Sequence, residues 1–231
     1  LGFTGGNNIG IKAAKGDYLF SVNNDTEFTP GLLEGLLKIF ETYPDAGIVS
    51  PKFHYFFHKG TIEYAGYNEV NIFTGRNSMI GCREKDEGQY NEIKTTHYAH
   101  GGGMMVPRKV VDEVGGLFEG FFIYYEEFDW SEQIKKRGYK VYYQPESLIY
   151  HKESMTTGKA SPFKTFYHTR NRIWFMSRNM KPLNYFIFLV YFSLLTVPKN
   201  TATFILKRQF VHLKSFWKAI FWHFNRRITF N

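Results

Sequence analysis

Cysteine is almost absent from this sequence. Cys82 is the single one, which leaves no internal disulfide framework and fits a reducing compartment. Acid is nearly missing from the last third: residues 152–231 hold only Glu153 against 14 Lys and Arg, a balance of +13, whereas residues 1–151 stand at −5. An acidic front argues against nucleic acid as the main partner, while a basic back rich in Phe, Trp and Tyr suits an anionic surface such as lipid headgroups. Leu183–Val197 carries no charge over fifteen residues, short of the roughly 20 needed to span a bilayer, and reads as a buried or interfacial helix. No internal repeat, low-complexity tract or secretory signal is visible. The chain also starts at Leu1 without an initiator Met or a leading strand, so it is expected to be a fragment.

What is present gathers around Tyr124-Tyr-Glu-Glu-Phe-Asp-Trp130, three carboxylates within four positions, with a glycine-rich approach at Gly115-Gly116 and a helix leading out to Gly138. Carboxylates suit a helix start, where unpaired N–H groups and the positive dipole end favour the ionised form. Lys135, Lys136 and Arg137 followed by Gly138 suit the other end. Two readings are open here. The acids are plain caps, or, among aromatic neighbours that hold them partly out of water, they include a general base.

Along the chain, Gly5–Gly16 reads as a short helix with an Asn cap and a Gly stop, followed by a strand over residues 17–22 that ends in Asn23-Asn24-Asp25-Thr26. An acidic residue just beyond a buried strand is where open α/β sheets place ligand groups. Thr29-Pro30 predicts a second helix with Leu32, Leu33, Leu36, Leu37 and Phe40 on one face, ending at Pro44, and residues 46–50 a second strand. This alternation implies a largely parallel sheet. Residues 52–96 read as an inserted hairpin region. His97–Val106, with three successive glycines, reads as a strand approached closely by something. Residues 107–114 suit a short helix, and residues 140–144 and 147–151 two strands, the second closing on His151.

Taken together, Gly5-Gly-Asn-Asn-Ile-Gly, Gly16-Asp-Tyr, Asn23-Asn-Asp-Thr, Gly102-Gly-Met-Met-Val, Gly115-Gly-Leu-Phe, Phe122-Ile-Tyr-Tyr-Glu-Glu-Phe-Asp-Trp, Gly138-Tyr, His151 and Arg170-Asn-Arg resemble a family 2 inverting glycosyltransferase of the rhamnosyltransferase-like kind. The resemblance implies a GT-A (Rossmann-like) α/β fold, a mixed, largely parallel sheet flanked by helices, over residues 1–180, lacking its first strands, with a helical, basic, aromatic tail over 181–231. It implies transfer of a sugar from a nucleotide-diphosphate donor to a hydroxyl of a glycan or lipid-linked acceptor, in cell-envelope polysaccharide biosynthesis. It places Asp25 and His151 on Mg²⁺ or Mn²⁺, with Asn23 where the family carries an acidic residue. Asn23, Asn24, Asp25, Gly6 and Asn7 would meet the donor; Gly102, Gly103, Asp129 and Trp130 a sugar; and Glu127, with Glu126, would be the base. A fragment without its first strands is expected to bind donor poorly. The alternative is a non-catalytic carbohydrate- or membrane-binding module derived from such an enzyme.

In the tail, Phe210, Leu213, Trp217, Ile220, Phe221 and Phe224 recur at helical steps, with Lys207, Lys214 and Lys218 on another face. That division predicts either a helix lying on an anionic membrane surface or one packed on the catalytic part with a solvated basic side. The Lys and Arg excess favours the cytoplasmic face of the cell membrane, peripheral or tail-anchored. No nucleic acid is expected as a partner.

Overall fold

The structure, a computed structural model, describes residues 1–152 and 161–225. Residues 153–160 and 226–231, part of the sequence-defined catalytic stretch and of the tail, lie outside the described residues. The chain forms two units: Leu1–Glu69, Asn77–Phe122 and Glu126–Glu153 make the first, and Val70–Arg76, Ile123–Tyr125 and Ser154–Asn231 the second.

In the first unit the order is α1 (Gly2–Ala13), β1 (Tyr18–Val22), β2 (Thr26–Phe28), α2 (Leu32–Thr42), β3 (Ala46–Tyr55), β4 (Ile62–Tyr64), β5 (Lys94–Thr95), β6 (Gly103–Pro107), α3 (Arg108–Val114), a 3₁₀ turn (Glu119–Phe121), α4 (Glu126–Lys136) and β7 (Lys140–His151). The sheet runs β1-β6-β3-β7-β2, with β4 on β3 and β5 on β7. Only β3 and β7 are parallel; β1 with β6, β6 with β3 and β7 with β2 are antiparallel. The expectation of a largely parallel sheet is therefore wrong, for a physical reason. The α2 crossover does make β1 and β3 run the same way, but β6 arrives after a helix-free connection, so it is free to enter between them reversed.

Strand β3 is buried at all ten positions, as a strand covered on both faces must be. It tolerates Pro51, which has no N–H to donate, because the register against β7 shifts between Pro51 and Lys52. The same shift lets β7 run unbroken through Pro145, joining what read as two strands. Leu19, Ile48, Met104, Val106, Val110, Leu117, Trp130, Ile134 and Val141 form one core between the sheet and α3 and α4.

Helix α1 starts three residues earlier than the sequence predicts and keeps Gly5 and Gly6 inside it. A mid-helix glycine costs about 1 kcal/mol against alanine, and tertiary contact offsets this. Thr4 N–H donates to Phe122 O at 3.2 Å. Buried Asn8 donates from Nδ2 to Leu117 O (2.8 Å) and Glu119 Oε1 (3.0 Å) and accepts from Leu117 N–H (2.9 Å). The stop is not Gly16 either: the helix ends at Ala13, where the Arg108 guanidinium donates to Ile11 O and Ala14 O. Helix α2 begins at Leu32 after left-handed Gly31. Thr29 is spent on Leu148 O, and Leu32, Leu36 and Ile39 face inward while Leu33 faces water.

The second unit holds α5 (Pro162–Asn179), α6 (Pro182–Tyr191), a π turn (Phe192–Thr196), α7 (Val197–Leu206) and α8 (Phe210–Phe221). Ser161 caps α5 by accepting from Lys164 N–H, with Pro162 at the first position. The helix continues through Pro198. The ring removes one N–H and crowds the carbonyl a turn earlier, and the π turn, with Val197 N–H reaching back to Phe192 O, absorbs the misfit. The result is a helical run, Pro182–Leu206, of 25 residues, long and apolar enough to cross a membrane by length and composition, with 6% of its most apolar window buried. Helix α8 packs on α5, where Trp222 meets Trp174, and on α7, where Phe216 meets Phe204, and Ser215, Phe216 and Ala219 are buried. The predicted apolar stripe is divided: Phe210, Phe221 and Phe224 are exposed, while Leu213, Trp217 and Ile220 are half-buried.

Candidate active site

The β1 strand ends at Val22, and Asn23 N–H donates to Gly102 O at 3.1 Å, which pins the 23–25 turn to the glycine turn before β6. Thr26 Oγ1 closes that turn on Asn23 O (2.7 Å). Asn24 is exposed at its tip, and Asp25 is held by its carbonyl, which accepts from Lys152 N–H at 2.8 Å. Because Thr26 pairs with His151 across β2 and β7, the Asp25 carboxylate reaches the imidazole: Oδ1 and Nε2 lie 3.3 Å apart. Both atoms are buried and neither makes a well-formed hydrogen bond.

The other imidazole nitrogen is fully engaged. His151 Nδ1 lies 2.9 Å from both oxygens of Glu63, a buried carboxylate in β4 that the sequence reading did not single out. Its signal was there, an acid between Ile62 and Tyr64 in an apolar strand. Burial works against a proton on His151, but the hydrogen bond and charge of Glu63 and the charge of Asp25 outweigh it, raising the pKa above the usual imidazole value. His100, also unflagged by sequence, packs its ring 6.0 Å from that of His151 and accepts from Gly102 N–H through Nδ1 (3.1 Å). Burial and the His151 charge push His100 down to about 3, so it stays neutral.

The strand expected over 97–106 is confined to Gly103–Pro107, with Gly101 and Gly102 in the turn before it, and the glycine run is approached closely, as expected. A Cβ on Gly101 would sit 3.5 Å from the Glu127 carboxyl carbon, one on Gly102 2.9 Å from His100 Nδ1, and one on Gly103 2.9 Å from Phe53 Cζ. Glu127 lies in the first turn of α4 with Glu126 and Asp129. Burial raises Glu127 to about 7, against the lowering effect of backbone N–H groups. Glu126, 4% exposed, is raised by burial and then by the charge of Glu127. One oxygen of each carboxylate is buried without a hydrogen bond. Phe122, Tyr124 and Tyr125 all take left-handed backbone just before this helix, a conformation that costs on the order of 1 kcal/mol or more per non-glycine residue. Such strain is the kind stored where a side chain must be aimed.

Asp25, His151, Glu127, Gly102 and Gly103 are thus brought around one glycine turn. Others of the sequence-predicted set are elsewhere. Gly6, Asn7 and Trp130 line a groove of about 560 Å³ between α1 and β1, together with Tyr18, Ser21 and Met104. Asn7 there donates to Phe3 O and accepts from Ser21 Oγ. Trp130 is buried with its indole N–H on Gly115 O (2.9 Å), and Asp129 is buried in the same helix.

Two side chains do not make a metal site alone, and among the described residues no group of three or more His, Cys, Asp and Glu could hold an ion. The donor set still fits a hard divalent cation completed by ligand oxygens. One carboxylate oxygen and one imidazole nitrogen face each other unsatisfied, and a carboxylate on the far imidazole nitrogen fixes the ring, the usual arrangement behind a ligating histidine.

The Glycosyl transferase family 2 profile matches residues 1–115. The low-salt glycan biosynthesis hexosyltransferase Agl10 of Haloferax volcanii is 25% identical over 177 residues, 74% of this chain and 55% of that one. The N-acetylglucosaminyl-diphospho-decaprenol L-rhamnosyltransferase of Mycobacterium tuberculosis is 22% identical over 154 residues, 62% of this chain and 49% of the relative. The chain thus spans about half the length of these two relatives. The crystal structure of GalNAc-T7 with UDP, GalNAc and Mn²⁺ superposes with a TM-score of 0.54 at 17% identity, over 73% of this chain and 35% of that one. At that identity it speaks for the fold alone, a GT-A-like mixed sheet flanked by helices. From the profile match, the named relatives and the fold, the chain belongs to glycosyl transferase family 2.

Proposed function

We propose that the protein transfers a sugar from a nucleotide-diphosphate donor to a hydroxyl of a glycan or lipid-linked acceptor, with inversion, in the building of cell-envelope polysaccharide. The observation that carries this reading is the pair of unsatisfied atoms, Asp25 Oδ1 and His151 Nε2, 3.3 Å apart beside a glycine turn against which Glu127 lies. Asp25 and His151 would hold Mg²⁺ or Mn²⁺, which when bound neutralises charge on the departing diphosphate. Asn23 and Asn24, on the same turn, would contact the donor, and the bare Gly102 backbone lets a sugar approach.

Glu127 takes the proton. Its pKa near 7 leaves it substantially ionised at neutral pH yet still basic enough to accept from a hydroxyl. As the acceptor oxygen bonds to the anomeric carbon, its proton passes to Glu127. The bond from that carbon to the phosphate oxygen breaks on the opposite face, and the electron pair leaves with the nucleoside diphosphate. Glu126, whose ionisation burial and the Glu127 charge both oppose, adds little competing negative charge beside the base. Gly103 would shape the wall of this site, and Gly6, Asn7 and Trp130 that of the groove between α1 and β1.

The second unit would hold the enzyme at the cytoplasmic face of a membrane, through its exposed apolar helices and its cations. The supporting analogy is the rhamnosyltransferase relative, whose name states a diphospho-decaprenol acceptor. The test is release of nucleoside diphosphate from a panel of nucleotide sugars, with and without Mn²⁺. The reading predicts metal-dependent release lost in Asp25→Asn, and release indifferent to both would overturn it.

A further inference from the structure

The second unit contains 14 Lys and Arg and no Asp or Glu whatever. Most of these cations can be left to water, but Arg172 cannot. It is 3% exposed, and its Nε is buried without a hydrogen-bond partner. Among the described residues no carboxylate pairs with it. Its guanidinium lies 5.0 Å from the Phe192 ring centroid, a contact far too weak to replace lost hydration. Burial is the first cause that pushes its pKa down to about 10, and nearby Arg76 adds repulsion. A buried cation without a counter-charge destabilises a fold unless a ligand supplies that charge.

Other basic side chains converge on the same place. Lys164, His168 and Arg172 stand four residues apart along α5, on one side of the helix. His168 stacks on Tyr124 with ring centroids 4.2 Å apart. Loss of water around that ring, followed by the charges of Lys164, Arg172 and Arg76, depresses its pKa to about 4. The Val70–Arg76 segment is pressed against Arg172 at left-handed Gly75, where a Cβ would fall 2.9 Å from the Arg172 Cγ, and Tyr125 OH donates to Gly75 O (3.0 Å). Arg76 therefore follows directly on a residue that touches Arg172.

The ligand's other half is read from the neighbouring helices. Phe192, under the guanidinium, opens the π turn of the 182–206 helical run, and Leu194 and Leu195 of that turn are 69% and 55% exposed. Leu183 and Phe186 are exposed in the same way. An anion at Arg172 thus sits beside uncovered hydrocarbon. We propose that Arg172, with Lys164, His168 and Arg76, binds the phosphate or diphosphate of an amphiphile whose hydrocarbon tail lies on the 182–206 helix.

The proposal deepens the lipid-linked acceptor of the preceding reading and rests on it only for the identity of the carrier. Calorimetry of the intact chain with farnesyl diphosphate and with inorganic diphosphate tests it, beside flotation on phosphatidylcholine vesicles with and without phosphatidylglycerol. Charge-assisted hydrogen bonds to phosphate predict that Arg172→Gln weakens binding by about tenfold or more. Exposed Arg76→Ala, which leaves the core untouched, should weaken it severalfold. A loss confined to prenyl diphosphate assigns the site to a carrier lipid, and a loss confined to phosphatidylglycerol vesicles assigns it to a membrane headgroup. Absence of binding to every probe, or equal binding by both variants and the parent, overturns the proposal. Metal-dependent nucleotide release is measured separately, so a chain that releases nucleotide yet ignores all these probes sinks this inference alone.

Discussion

Replacing Glu127 by Gln should silence transfer and, at the same time, stabilise the fold above neutral pH. The carboxyl is raised from 4.5 to about 7, chiefly by burial. The folded protein therefore holds this proton to higher pH than the unfolded chain does. Stability falls as pH climbs from about 4.5 through about 7, because there the native state binds more protons than the unfolded one. The full difference corresponds to about 3 kcal/mol. Gln is neutral throughout, so the variant escapes this penalty. Its advantage should be below about 1 kcal/mol at pH 5 and approach about 3 kcal/mol at pH 8.5. Removing the Glu127 charge also removes one of the two causes that raise Glu126, which acts in the same direction. Urea unfolding at a series of pH values measures the gap, and nucleotide release under the same conditions should fall by about 10² to 10⁴. In the parent, turnover should rise with pH through an apparent pKa near 7. A variant that is less stable than the parent, or a gap that does not change with pH, would refute the argument that burial tunes this carboxylate.

Glu63→Ala frees the His151 ring and should weaken Mn²⁺ binding, followed by electron paramagnetic resonance, about 10- to 100-fold, with Glu63→Gln intermediate; unchanged affinity in both removes Glu63 from the site. Asn8→Ala leaves the buried N–H and C=O of Leu117 without partners and should cost about 2–4 kcal/mol in denaturant unfolding. Gly103→Ala drives a methyl to within 2.9 Å of Phe53 and 3.0 Å of Ile149 and should cost about 1–3 kcal/mol, so a neutral result would show that β3 yields more easily than its burial suggests. If the exposed π turn meets a membrane, the Leu194→Asp and Leu195→Asp pair abolishes flotation on phosphatidylglycerol vesicles at low salt while leaving the parent's flotation as the control; a parent that stays at the bottom ends the membrane reading.

Residues whose chemistry is local could be read in advance. The Asn23–Asp25 turn, the acids opening α4 and left-handed Gly138 after its last cations each follow from turn and cap preferences. What could not be read depends on partners distant in sequence. The direction of β6 is set by a connection without a helix, which no periodicity reports. Glu63 looked like one acid among many until β4 paired with β3 and brought it under His151. Gly5 and Gly6 signalled a helix boundary, and contacts with the 117–122 segment overruled them. In α8 both sides are apolar enough to pack, and the positions of α5 and α7 decide that Trp222 and Phe216 face inward while Phe210 and Phe221 do not.

The charges left unsatisfied inside each unit are not scattered. In the first unit the orphaned buried atoms include oxygens of Asp25, Glu126 and Glu127 and the imidazole Nε2 of His151, a set that a divalent cation and a substrate proton would complete. In the second the charged group with an orphaned buried atom, among the described residues, is Arg172 through its Nε, in a unit without Asp or Glu. A sequence selected only for stability would remove these groups, since an apolar side chain of similar volume serves a core better than an unpaired ion. With the proposed ligands bound at these two places, part of the stability of the fold would be deferred until they arrive.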